Sequence, residues 1–166
     1  IMQWARENTN SSYYICWGAN AALFYFYGIK KIIYEKKFSG VFEHKITDPN
    51  SKAMKGLSGK IKIPVSRFAG VRKDDIEAIK ELSLLLYSNE SGPCLIENKL
   101  HNEYYNFNHF EYNADTLLKE YARDTNSGIA IDIPKNYFPN DDLNKTPINC
   151  WQESGSIFFN NWLNNF

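Results

Sequence analysis

Hydrophobic and polar positions divide the 166-residue chain into short alternating blocks. Residues 12–17, SYYICW, are aromatic and β-branched and predict a buried strand. Residues 19–28, ANAALFYFYG, predict the helix that follows, with Gly28 as its stop. Alternation over 40–46, GVFEHKI, predicts another strand, and the Gly- and Pro-punctuated stretch 48–60 a loop. Residues 60–68, KIKIPVSRF, read as a short strand running into a loop, and 73–80 as a short helix. Residues 81–88 and 93–99 predict a strand pair turning through NESGP, and 103–109, EYYNFNH, a further strand. A helix is expected over 113–128, with Asn113 and Asp115 at its start and Gly128 at its stop. A long irregular loop then leads to a closing helix over 150–166 with an apolar face, while residues 1–10 read as the back half of an amphipathic helix. Strands alternating with helices predict an α/β layered domain.

Composition narrows the class. At 43% hydrophobic and 16% aromatic the chain is globular, and its length is that of one domain. Nineteen basic residues balance nineteen acidic ones, so no general field favours nucleic acid, and no basic stripe restores one. No apolar run approaches the roughly 20 residues needed to span a bilayer. Three cysteines, Cys16, Cys94 and Cys150, are an odd number without metal-ligand spacing, which fits a reducing cytoplasmic setting rather than a disulfide framework. The three histidines, His44, His101 and His109, do not fall in ligand spacings either, so no metal is expected.

Two features carry candidate chemistry. Cys16 stands where the first strand turns into a helix, a place that lifts a side chain above a sheet and aims a helix N-terminus at it. Helix dipole and free N–H groups there lower a thiol pKa and accept an oxyanion, and Gly18 and Ala19 keep the turn uncrowded. His109 and Glu111 stand two apart at the end of a predicted strand, on one face, where the carboxylate orients and stabilises the imidazolium. A buried structural cysteine or a satisfied histidine explains either feature alone. Together, with Arg123 on the following helix, they form one site: Cys16 the nucleophile, His109 the base, Glu111 the orienting group and Arg123 a carboxylate anchor.

The stretches ICWGANAALFYFYGI, EKKFSGVFEHKI, SRF, HFEYNADTLLKEYARD, PKNYFPNDD and FFNNWLNNF, spread over nearly the whole chain, carry a resemblance. In them the sequence resembles the homoserine O-succinyltransferase (homoserine transsuccinylase) family of methionine biosynthesis, which also includes O-acetyltransferases. That resemblance implies a class I glutamine amidotransferase-like α/β fold, a flavodoxin-like three-layer sandwich. It further implies an acyl-thioester on Cys16, His109 as base, Glu111 completing the triad, and substrate-binding roles for Lys37, Ser66 and Arg123. The family has glutamine where Asn20 stands, and Gly-His-Pro-Glu where this chain has Asn108, His109, Phe110 and Glu111. It also extends well upstream, so residues 1–166 are expected to be a single, incomplete domain lacking the N-terminal part and catalytically weak by itself.

The expected function is acyl transfer from acyl-CoA (succinyl-CoA or acetyl-CoA) to L-homoserine through a cysteine thioester, in a bacterial cytoplasmic homodimer with no bound cofactor, no nucleic-acid partner and no membrane partner. Glutamine amide hydrolysis on the same triad and a non-catalytic remnant are the rival readings.

Overall fold

The structure is a computed structural model and describes residues 1–164. The closing helix expected over 150–166 therefore has two positions, 165 and 166, outside the described residues. Six strands form one sheet in the order β1-β6-β5-β4-β2-β3. They are β1 (Ser12–Ile15), β2 (Ile32–Ile46), β3 (Lys60–Gly70), β4 (Leu82–Ser88), β5 (Gly92–Asn98) and β6 (Glu103–Asn106). The helices are α1 (Met2–Asn8), α2 (Trp17–Tyr27), α3 (Lys73–Glu77), α4 (Thr116–Asn126) and α5 (Gln152–Leu163).

The sheet is covered on both faces, and the strand sequences say why. In β5, Ile96 packs with Ala19, Ala22 and Leu23 of α2 and Ile76 of α3, while its neighbour Leu95 packs with Phe158 of α5. Tyr105 and Tyr104 of β6 divide in the same way. Successive side chains point to opposite faces, so a strand buried on both must be apolar throughout, as LLL and CLI are. No helix among the described residues is long and apolar enough to cross a membrane.

The sheet of this α/β domain is mixed, and most of its pairing is antiparallel. Among the strand pairs of the described residues, β1–β6 runs parallel, and β2–β3, β2–β4, β4–β5 and β5–β6 are antiparallel. The strand pair through NESGP forms as expected. β2, by contrast, is about twice the expected length: Ile32 and Ile33 pair with Gly70 and Ala69, the polar stretch 34–37 bulges out of register, and pairing to β3 resumes at Phe38 opposite Arg67. β3 continues through Pro64 to Gly70 instead of ending in a loop. Proline is tolerated there because β3 is an edge strand, where a missing N–H leaves no neighbour unpaired. The first strand is half-buried at the opposite edge rather than fully buried.

Helix α2 ends as expected on Gly28, whose left-handed φ of 70° suits a residue without a Cβ. α4 is shorter than 113–128; Asp115 caps its start by position, without a side-chain hydrogen bond. The stretch 129–149 is irregular apart from a three-residue 3₁₀ turn at Pro139–Asp141, and it is pinned to β2 at a parallel bridge between Gly40 and Lys135, where Val41 N–H donates to Lys135 O at 2.8 Å and Lys135 N–H donates to Ser39 O at 2.9 Å.

Candidate active site

Cys16 is the N-cap residue of α2, directly after β1, with φ 51° and ψ −111°. Five non-glycine residues among those described have positive φ; four are Asn or Asp, and the fifth is Cys16. An L-residue without a short polar side chain pays about 1–3 kcal/mol for such a conformation, which persists only where its surroundings over-determine it. Here β1 and α2 do so: Cys16 N–H donates to Asn106 O at 2.7 Å, and Cys16 O accepts from Asn20 N–H at 3.3 Å and from Asn20 Nδ2 at 3.2 Å. A Cβ at Gly18 would meet nothing, so the turn is open as expected.

The imidazole arrives by a different route from the one expected. β6 stops at Asn106, and His109 and Glu111 lie in the turn beyond it rather than on one strand face. Asn106 ends its own strand: its side-chain Oδ1 accepts Asn108 N–H at 3.0 Å and bends the chain. His109 N–H then crosses to Pro64 O on β3 at 3.0 Å. The pair still forms, with His109 Nδ1 donating to Glu111 Oε1 at 2.6 Å and the ring stacked on Tyr112 at 4.1 Å between centroids.

Burial pushes the Cys16 thiol up, but His109, the Trp17 backbone N–H and Arg67 outweigh it, and the net shift is downward. Burial likewise works against the His109 imidazolium, yet Cys16 and Glu111 hold its pKa up, at about 9. His109 Nε2 is buried with no hydrogen-bond partner in geometric reach. Ring and thiol are thus electrostatic neighbours whose hydrogen bond is not closed in this conformation, as is common in unliganded sites. They titrate as a pair, toward thiolate and imidazolium.

Cys16, Lys37, Ser66 and Arg123 all line one cleft of about 610 Å³, together with Trp17, Asn20 and Arg67. The structure therefore brings Lys37, Ser66 and Arg123, expected to bind substrate, into one cleft with Cys16, but their polar ends are engaged. Lys37 is no surface lysine: its ammonium is buried, 2.6 Å from Asp124 Oδ2 and 3.8 Å from Glu120 Oε2. Ser66 Oγ donates to Glu120 Oε2, and Tyr112 OH donates to Glu120 Oε1 at 2.8 Å. Arg123 pairs with Asp124 at 2.7 Å and keeps a side chain 64% exposed.

Glu120 and Asp124 were not singled out as site residues. Their spacing along α4 is one helical turn, and an i, i+4 acidic pair facing an isolated buried lysine is a signal only once Lys37 is known to point inward. Among the described residues no group of three or more His, Cys, Asp or Glu is placed to hold a metal ion.

Comparison with known proteins follows the same lines. A homoserine O-acetyltransferase of Cereibacter sphaeroides is 41% identical over 164 residues, covering 99% of this chain and 54% of that protein. One from Agrobacterium fabrum is 42% identical over 164 residues, covering 99% and 53%. The chain spans about half the length of the curated relatives it matches. Among solved structures, a glutamine amidotransferase from Thermotoga maritima matches with a TM-score of 0.63 at 13% identity, over 91% of this chain and 60% of that one. The protein SMU.1228c matches with a TM-score of 0.68 at 13% identity, over 98% and 67%. These likenesses show the class I glutamine amidotransferase-like α/β fold. The family model for homoserine O-succinyltransferase matches residues 1–166, and the chain belongs to that family.

Proposed function

We propose that this chain carries the acyl-transfer site of a homoserine O-acyltransferase, with Cys16 as nucleophile, His109 as acid and base, and Glu111 as the group that orients it. The observation that supports it most is the strained Cys16 turn, which lines one cleft with Lys37, Ser66 and Arg123 and is electrostatically coupled to the hydrogen-bonded His109–Glu111 pair. The Cys16 thiolate attacks the carbonyl of an acyl-CoA thioester, and the CoA sulfur leaves with the proton held by His109. The homoserine hydroxyl then attacks the acyl-cysteine, His109 takes its proton, and the Cys16 thiolate departs from the O-acyl product. Trp17 N–H, at the start of α2, is placed to share the oxyanion charge.

The exposed Arg123 guanidinium anchors the substrate carboxylate, and Glu120, held by Ser66 and Tyr112, is the carboxylate available to its ammonium. Lys37 and Ser66 then act through the two acids they hold. The relatives named above are acetyltransferases, so acetyl-CoA is the donor proposed first. A cytoplasmic homodimer, covering the exposed Trp17, Phe24 and Tyr25 of α2, belongs to the same reading. Glutamine hydrolysis, which the fold allows, is not favoured, because the family match over the whole chain is to acyltransferases.

The test incubates the chain with acetyl-CoA or succinyl-CoA and locates the adduct by peptide mass. An acyl group on Cys16, absent from Cys16→Ala and discharged by homoserine but not by glutamine, is the expected result. An adduct that persists in Cys16→Ala overturns the assignment.

A further inference from the structure

Beside the thiol lies a charge that the mechanism above does not use. Arg67, on β3, is buried to 4% exposure and lines the same cleft as Cys16. Its guanidinium is fully engaged, and every acceptor is neutral. Nε donates to Asn108 Oδ1 at 3.2 Å; Nη1 donates to Tyr34 OH at 3.2 Å and Ala69 O at 2.9 Å; Nη2 donates to Ser91 O and to Pro93 O at 3.2 Å. Among the described residues no carboxylate forms an ion pair with it. Buried charges are ordinarily paired, because removing a cation from water without a counter-ion is costly.

The acceptor nearest to a counter-ion in shape is Asn108, an amide where an isosteric carboxylate would neutralise the charge. Asn108 is itself fully buried and spent at both ends. Because Oδ1 receives Arg67, Nδ2 is the end that donates to His44 Nε2, at 2.9 Å. The next residue along the chain is His109. The backbone makes room for this arrangement: a Cβ at Gly70 would overlap both Arg67 Nη1 and the Tyr34 hydroxyl.

We propose that Arg67 is a positioning residue and standing cation for the Cys16 site: through Asn108 it fixes the turn that carries His109, and its charge, left without a counter-ion, stabilises negative charge on the thiol. The role deepens the acyl-transfer reading, since a stabilised thiolate matters only if Cys16 is a nucleophile. Arg67 acts on Cys16 alongside the His109 imidazole and the Trp17 N–H, and it also lowers the thiol of Cys94 against the upward push of burial. The groups around Asn108 are Arg67 from β3, His44 from β2 and Cys94 from β5, and those facing the thiol are His109 and Arg67, with Tyr112 beyond the ring. A neutral amide at 108 thus leaves the Arg67 charge without a counter-ion.

The experiment needs no acyl donor, so it can fail independently of the proposed function. Alkylation of Cys16 by iodoacetamide is followed against pH in the unaltered chain and in Asn108→Asp, with thermal melting measured alongside. The introduced carboxylate should move the alkylation midpoint up by about one pH unit and slow labelling at neutral pH about tenfold in a variant that still melts cooperatively, at a lower temperature because the hydrogen bond that Asn108 Nδ2 donates to His44 is lost. A folded variant with an unmoved midpoint overturns the proposal. Should Asn108→Asp fail to fold, Arg67→Gln and Arg67→Lys decide: glutamine raises the midpoint and lysine holds it, whereas equal midpoints overturn the idea.

Discussion

Two buried histidines lie on either side of Asn108 and are driven in opposite directions. His44, on β2, has no exposure and meets Asn108 Nδ2 and Ser91 Oγ, with burial as the main cause holding its pKa down to about 4. His109, 7% exposed, is hydrogen-bonded to Glu111, lies within the electrostatic influence of the Cys16 thiol and is held up to about 9. Burial acts on both rings in the same sense, against the charged form. The neighbours make the difference. A donor amide and a nearby guanidinium leave one ring a neutral acceptor, while a carboxylate and an acidic thiol make the other an imidazolium. Burial alone therefore says nothing about whether a histidine is chemical or structural.

The largest expected effect is on acid stability through His44. Its folded pKa lies below the 6.5 of the unfolded ring, so the unfolded chain binds the extra proton as pH falls. The stability this ring supports is fully present above about pH 6.5, declines from there toward 4, and levels off once both states are protonated. The span corresponds to about 3 kcal/mol. Asp48 and Asp124, whose pKa values lie below the usual carboxylate range, stay ionised over most of that window. Urea denaturation at pH 6.5 and 4.5 should show the decline in the parent chain and a much flatter response in His44→Gln. An unchanged decline would mean that His44 is not the neutral ring described here.

His109→Gln tests the other side. Removing the imidazolium takes away the strongest influence lowering the thiol, so Cys16 should react with iodoacetamide about 100-fold more slowly at neutral pH. Cys94, fully buried and pushed up to about 12, is the internal reference in the same digest. It should label far more slowly than Cys16 in the parent chain. If both cysteines label alike before the substitution, Cys16 is structural and the comparison collapses.

The sequence made one of these histidines legible and hid the other. Cys16, His109 and Glu111 sit in local patterns, a strand–helix junction and a two-residue spacing, and both the Cys16 turn and the His109–Glu111 hydrogen bond form even though His109 leaves the strand it was expected to end. His44 lies within an alternating strand, GVFEHKI, where its inward face is readable but its partners, 47 and 64 residues away, are not. The same holds for Lys37. Its neighbours Glu35 and Lys36 make the stretch look solvated, and neither the bulge at 34–37 nor the return of α4, which together bring its ammonium to Asp124, is written in that stretch. Period and spacing report which face a residue occupies; they do not report what another element brings to that face.

The smallest effect is expected at Glu111. Of the influences raising His109, the thiol stands ahead of the Glu111 carboxylate, and Glu111 is 38% exposed, so water screens part of its charge. Glu111→Gln keeps a side-chain oxygen within reach of Nδ1 but removes the negative charge, so the ring should keep its orientation and lose part of its basicity. The His109 proton resonance should then titrate below its parent value of about 9 while remaining above the ordinary 6.5. Cys16 labelling at neutral pH should slow by about tenfold or less, well short of the His109→Gln loss. A titration midpoint unmoved by the substitution would assign the raised imidazole to the thiol alone and leave Glu111 as a purely steric support. A midpoint falling to that of His44 would show the reverse, that the carboxylate rather than the thiol separates the two rings.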